Sequence, residues 1–208
     1  MFDLATYARQ AEGLIQAGRF LYSRGWSPAT SSNYSARLDD AHIAITVSGR
    51  HKGQLTTADI MVVNLDGQPV ACNTRPSAET GLHTELYRLF PDVGAVLHTH
   101  SVGVTVLTRL LADDAEVVFR DYELQKALCG QTTHEGKVPV RIFDNTQDIP
   151  ALAAETRAWF SEHPEVPAYF IRGHGLYTWG RDLDECLRHV EALEFLVQCE
   201  LELIRIRS

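Results

Sequence analysis

No stretch of this chain approaches the roughly 20 consecutive apolar residues that a membrane-spanning helix requires. Its opening residues, MFDLATYARQ, also lack the basic start and apolar centre of a secretory signal. The expectation is a cytosolic protein. Basic charge is scarce too, with 19 Lys and Arg against 27 Asp and Glu, a formal net charge of −8. A general nucleic-acid binder needs a basic stripe to neutralise phosphates, so that class is excluded, and any anionic ligand must be held by a local cluster of donors. The four cysteines, Cys72, Cys129, Cys186 and Cys199, never fall in C-x-x-C spacing. They read as small core or surface thiols, neither stapling the fold nor forming a metal site. Internal repeats, low-complexity tracts, linkers, a P-loop and a dinucleotide fingerprint are all absent.

What is present is enough apolar material, 45% of 208 residues, to bury a sizeable core in one domain spanning residues 1–208. Leu4, Tyr7, Ala8, Ala11, Leu14, Ile15 and Leu21 recur at helical intervals and predict a helix over 3–24, stopped at Gly25. Short β-branched runs at 34–38 and 42–47, turned at Asp39-Asp40, predict a hairpin, and 60–64 predicts a further strand. A helix carrying Leu82, Leu86 and Leu89 closes at Pro91. After it the patterns predict a strand at AVLHTH, a helix over 102–111, a strand over 116–119 and a small helix around YELQKAL. Strand KVPVRIF and a helix over 148–160 follow, then two extended pieces broken at Gly173-His174-Gly175. The last helix, 182–207, carries an apolar band wide enough to suggest a subunit contact. Together these predict an α/β layered domain with a mixed, largely antiparallel sheet covered by helices.

In a strand, residues i and i+2 point to the same side, so His98 and His100 of AVLHTHS would converge on one ion. Taken alone, the pair also reads as two polar residues at a strand end. A third ligand is His174, whose flanking glycines allow a sharp turn and close approach, although by itself it is equally a loop histidine. His42, His51, His83, His134, His163 and His189 read as surface or packing residues.

Two carboxylates stand out. Glu79 opens a helix, where an acid is favoured by the macrodipole alone. Glu123 sits among Tyr122, Leu124 and Leu128, where partial burial would raise its pKa toward proton-transfer range; the residue pattern favours a solvated glutamate paired with Lys126. Two polar loops, TSSNYS with Ser31, Ser32 and Asn33, and SGRHKG with Ser48, Gly49, Arg50, His51 and Lys52, carry the components of a phosphate site.

In chain order, S-N-Y-S, S-G-R-H-K-G-x-L-T, P-S-A-E-T-G-L-H-T-E-L-Y, A-V-L-H-T-H-S and R-G-H-G-L-Y-T-W-G resemble the class II aldolase and adducin-like family over nearly the whole chain. That resemblance implies a three-layer αβα fold and one zinc ion (Zn2+) per subunit, held by His98, His100 and His174. It also implies a sugar-phosphate substrate and homotetramers with sites near subunit boundaries, with no nucleic-acid or membrane partner. YELQKAL and HGLYTWG resemble the branch of the family that dehydrates methylthioribulose 1-phosphate in methionine salvage. In that branch the glutamate matching Glu123 is the implied acid/base, with the metal as Lewis acid. Aldolase members imply Glu79 in that role instead. Ser31, Ser32, Asn33, Ser48, Gly49, Arg50 and Lys52, with Ser77 and Glu79, are the substrate- and phosphate-binding candidates. The rival readings are a sugar-phosphate aldolase or epimerase working through Glu79, and a non-catalytic adducin-like interaction module without metal.

Overall fold

Among the described residues, alternating apolar residues build eight strands, and all eight join one sheet. The computed structural model describes residues 2–70 and 74–207, so Cys72 lies outside the described residues. The chain begins with α1 (Leu4–Ser23), whose first backbone N–H groups are capped by the Asp3 carboxylate. It continues through β1 (Asn33–Arg37), β2 (His42–Thr46), β3 (Ile60–Asn64), α2 (Thr80–Leu89), β4 (Ala95–Thr99), α3 (Val102–Leu110) and β5 (Glu116–Arg120). The second half contains β6 (Lys137–Phe143), α4 (Ile149–Glu162), β7 (Ala168–Ile171), β8 (Gly175–Gly180) and α5 (Leu183–Arg207).

The sheet order is β3-β2-β1-β4-β8-β7-β6-β5, antiparallel at every pairing except β6 with β7. The mixed, largely antiparallel expectation therefore holds. Side-chain parity sorts the two faces. Ala95 and Leu97 of β4 pack with residues of α1, α3 and α5, whereas Val96 packs with residues of α2 and α4. The result is three layers, helix on sheet on helix. Val190, Leu193, Leu196 and Val197 on α5 are fully buried, each contributing about 1.5–3 kcal/mol of apolar burial. That pins the final helix across β4 and β8, the two central strands whose ends place the three histidines. The segment around YELQKAL is a 3-10 turn, Glu123–Ala127, and no α-helix forms there. No helix among the described residues is long and apolar enough to cross a membrane.

Candidate metal centre

The parity that sends Val96 toward α2 also sends His98 there, and the neighbouring strand supplies the third imidazole. His98 pairs in register with Tyr177 of β8, and His174 stands in the turn that joins β7 to β8. Gly173 makes that turn with φ +62°. Gly175 lets the strands close up, because a Cβ there would run into the Thr99 carbonyl oxygen. His100 follows the end of β4 and is fixed by its backbone N–H, which donates to the Trp26 carbonyl at 2.8 Å.

Glu79, at the N-cap of α2, completes the group: one ligand atom from each of Glu79, His98, His100 and His174 lies within 4.8 Å of every other. His174 Nε2 is 3.2 Å from His100 Nε2 and 3.3 Å from Glu79 Oε1, and His98 Nε2 is 3.4 Å from Glu79 Oε2. Hydrogen bonding on the far side of two rings sets the tautomers. The Leu176 carbonyl can only accept, so His98 Nδ1–H donates to it at 2.9 Å, and His174 Nδ1 faces Asn145 Oδ1 at 3.3 Å. His98 Nε2 is consequently turned inward, fully buried, and without a hydrogen-bond partner. A buried lone pair left bare by the protein fits a cation. Burial, then the neighbouring imidazoles, holds His98 well below its ordinary pKa, and burial and His174 press His100 down to about 4. Both rings are neutral at physiological pH, the form in which an imidazole can bind a metal. Three imidazoles and one carboxylate are the donor set of a first-row divalent ion.

A supporting network lies behind Glu79. Asn33 Nδ2 donates to Glu79 Oε2 at 2.7 Å, and the Tyr177 hydroxyl donates to the same oxygen at 3.1 Å. Asn33 Oδ1 is in turn bonded to His83 Nε2, and His83 Nδ1 meets Ser35 Oγ at 2.7 Å. Burial pushes His83 down to about 4, so this ring is neutral and locks the amide of Asn33. The Tyr177 ring stacks on His98 with centroids 4.0 Å apart. None of Tyr177, His83 and Asn145 was singled out from sequence. Spacing carries a signal for two of them: His83 is four residues after Glu79 on one helix face, and Tyr177 is two after Gly175 on one strand face.

The cluster opens into a cavity of about 270 Å³ whose walls include Ser31, Ser32, Asn33, Ser48, Gly49, Ser77, Glu79, His100 and His174, together with Thr146, Gln147 and Ile149. Ser32 (φ +70°) and Gly49 (φ +72°) hold left-handed backbone at this wall. Arg50 and Lys52 are not in the wall. Arg50 pairs with Asp59 at 3.1 Å, and Lys52, a phosphate-binding candidate from sequence, is buried at 1% exposure behind the loops.

Glu123 is the solvated glutamate, paired with Lys126, that its residue pattern favours. Its side chain is 71% exposed, pairs with Lys126, and has His134 at 3.6 Å. The hydrogen bond from Lys126 holds its carboxyl below the usual range. The partial burial that would raise its pKa is absent, because the turn packs inward through Gln125 and Leu128 and leaves Glu123 and Leu124 facing out. It is no part of the cavity wall in its own chain.

Residues 12–201 match the family described as Class II Aldolase and Adducin N-terminal domain. The chain is 65% identical over 207 residues to the methylthioribulose-1-phosphate dehydratase of Marinobacter nauticus, covering 100% of both chains. It is 62% identical over 208 residues to the protein of that name from Hahella chejuensis, again over 100% of both. Among solved structures it resembles the L-fuculose-1-phosphate aldolase of Thermus thermophilus, with TM-score 0.77 at 24% identity over 97% of this chain and 98% of that one. It also resembles YgbL of Escherichia coli, with TM-score 0.81 at 22% identity over 96% and 91%. At those identities the two likenesses establish the fold alone.

Proposed function

The chain belongs to the class II aldolase and adducin family, and from that premise we propose that it is a zinc-dependent hydro-lyase acting on a sugar phosphate. It converts 5-methylthioribulose 1-phosphate to 2,3-diketo-5-methylthiopentyl-1-phosphate and water, a step of methionine salvage. The observation that carries the reading is the set of inward-facing imidazole nitrogens beside Glu79, opening onto a polar cavity. The full-length relatives supply the name of the substrate. A non-catalytic module has no use for a buried bare imidazole nitrogen.

His98, His100 and His174 hold the metal, and Glu79 stands beside it, fixed by Asn33 and Tyr177. A metal held by these residues would supply Lewis acidity toward the substrate oxygens and would make the C3 hydrogen acidic. The hydroxyls of Ser31, Ser32, Ser48 and Ser77 and the backbone at Gly49 bind the phosphate. Glu123 removes the C3 proton as a carboxylate and returns it to the C4 hydroxyl, which leaves as water. The enol that remains tautomerises to the 2,3-diketone. Because Glu123 lies outside the cavity of its own chain, it is delivered by a neighbouring subunit of a homotetramer. Exposed apolar residues on α3 (Val102, Val106, Leu110) and α5 (Phe195, Leu203, Ile206) support such an assembly. Thiols left free at Cys129, Cys186 and Cys199 suit a reducing cytoplasm.

A second reading, with Glu79 as the acid/base of an aldolase or epimerase, is favoured by the position of Glu79 inside the cluster. One experiment separates the two: incubation with 5-methylthioribulose 1-phosphate, with metal quantified in the same sample. The proposal expects diketone formation and about one zinc per chain. Intact zinc without turnover, together with cleavage of fuculose or rhamnulose phosphate, would overturn it.

A further inference from the structure

Lys52 is an anomaly among the cations of this chain. The residue is buried at 1% exposure, and no carboxylate among the described residues comes within ion-pairing distance of its ammonium. The acid whose field it feels, Asp59, is already paired with Arg50 at 3.1 Å. A buried charge without a counter-charge is costly and persists only where something else compensates it. Two backbone carbonyls do part of this. Nζ donates to the Arg50 carbonyl at 2.7 Å and to the Thr30 carbonyl at 3.4 Å. An ammonium has three N–H donors, so these two bonds leave its net charge and one donor unmatched.

The two carbonyls belong to the two loops that form the polar end of the cavity. Thr30 lines it alongside Ser31 and Ser32, and Arg50 directly follows Ser48 and Gly49. The loop that carries Lys52 is itself anchored behind. A Cβ on Gly18 of α1 would collide with the Lys52 carbonyl oxygen, and Tyr22 of the same helix packs against Gly53 and lies against His51, with ring centroids 4.5 Å apart. The Lys52 backbone is thus held against α1, while its side chain reaches forward and ties the two loops together.

We propose that Lys52 is a positioning residue for the phosphate end of the substrate: it clamps the 30–33 and 48–50 loops through their carbonyls and sets a buried positive charge behind them. The inference rests on the reading that these loops bind phosphate. Lys52 does not touch the phosphate. It fixes the loops whose hydroxyls and amides do, and the arriving dianion supplies the counter-charge the fold withholds. Burial pushes the Lys52 pKa down to about 8, as expected for an ammonium that lacks this partner. The charged and titratable groups around it are Asp59 and Arg50, the neighbouring His51, and His100, which feels its field.

Lys52, Lys126 and Lys137 are the only lysines in the chain, and Lys126 and Lys137 lie far from these loops in sequence, on the surface. Holoenzyme labelled with 13C at lysine Cε therefore offers one buried reporter and, in Lys137, an internal control. Saturating inorganic phosphate is expected to raise the titration midpoint of the Lys52 signal by about one unit, a tenfold coupling, and to leave that of Lys137 in place. Competitive inhibition of turnover by phosphate with an unmoved Lys52 midpoint would overturn the inference alone. Absence of competitive inhibition would overturn the reading of the loops and this inference with it. In a parallel series, Lys52→Met is expected to raise KM at least about tenfold, the effect of losing one charge-assisted clamp, with metal content retained and Lys52→Arg recovering part of the loss. A Lys52→Met enzyme that loses only thermal stability, with KM unchanged, contradicts the proposal. If that variant fails to fold, the measurement on the natural enzyme still decides.

Discussion

Glu79 and Glu123 are the two carboxylates on which the proposed chemistry turns, and the chain treats them in opposite ways. Glu79 is fixed by Asn33 at 2.7 Å and Tyr177 at 3.1 Å within a cluster of three imidazoles. Glu123 stands 71% exposed on a 3-10 turn, paired only with Lys126 and His134. The candidate metal end of the site is finished within one chain, because strand register and a glycine turn determine it. On the proposed function the proton-transfer end is left open, and an exposed glutamate acquires its role only when a second surface arrives. Preorganisation is built where a buried cluster has to resist rearrangement, and assembly supplies the rest.

The largest expected effect breaks the finished half. His98→Ala or His174→Ala should abolish both metal retention and turnover, read by elemental analysis and diketone formation on the same preparation. Next comes the open half. Glu123→Gln should lower kcat by about 10²–10⁴, the usual worth of a general acid/base, with metal content unchanged. Glu79→Gln should instead lower metal content. If the two outcomes are exchanged, Glu79 is the acid/base and the comparison is inverted.

Smaller effects sharpen the picture. Asn33→Ala and His83→Ala remove the support behind Glu79 and should cost about 10–100-fold in metal affinity or activity; metal titration of the apoprotein would measure it. Smallest is a change in acid stability far from both carboxylates. Glu185, held down to about 2 by its hydrogen bond with Arg181, has a folded pKa below its unfolded value near 4.5. Its contribution to stability is complete above the unfolded value and is lost as pH falls through about 2. Thermal melts of Glu185→Gln should match the natural protein most closely at the acid end and fall below it near neutrality.

Much of the finished half was legible in the sequence, for physical reasons. A strand has period two, so His98 and His100 could be placed together, and glycines on both sides of His174 announced a tight turn with close approach. Helix, hairpin and strand boundaries fell close to their predicted positions because the apolar periodicity is strong and the turns carry Gly, Pro and Asp. The Asn33–His83–Ser35 network was not legible, since it depends on the distance between β1 and α2. The burial of Lys52 was not legible either: lysine is ordinarily a surface residue, and its place behind the loops depends on the approach of its backbone to α1 and on the Thr30 and Arg50 carbonyls. The solvated pairing of Glu123 with Lys126 was legible from local pattern; on the proposed function, what covers Glu123 in action belongs to another chain.

The most direct test of that last claim is to mix two inactive proteins, Glu123→Gln and His98→Ala, under conditions that exchange subunits. If Glu123 serves the metal site of a neighbour, random mixed tetramers regain roughly a quarter of the natural activity, from sites pairing an intact metal centre with an intact glutamate. If Glu123 acts within its own chain, or does not act at all, the exchanged mixture is no more active than the average of its two components.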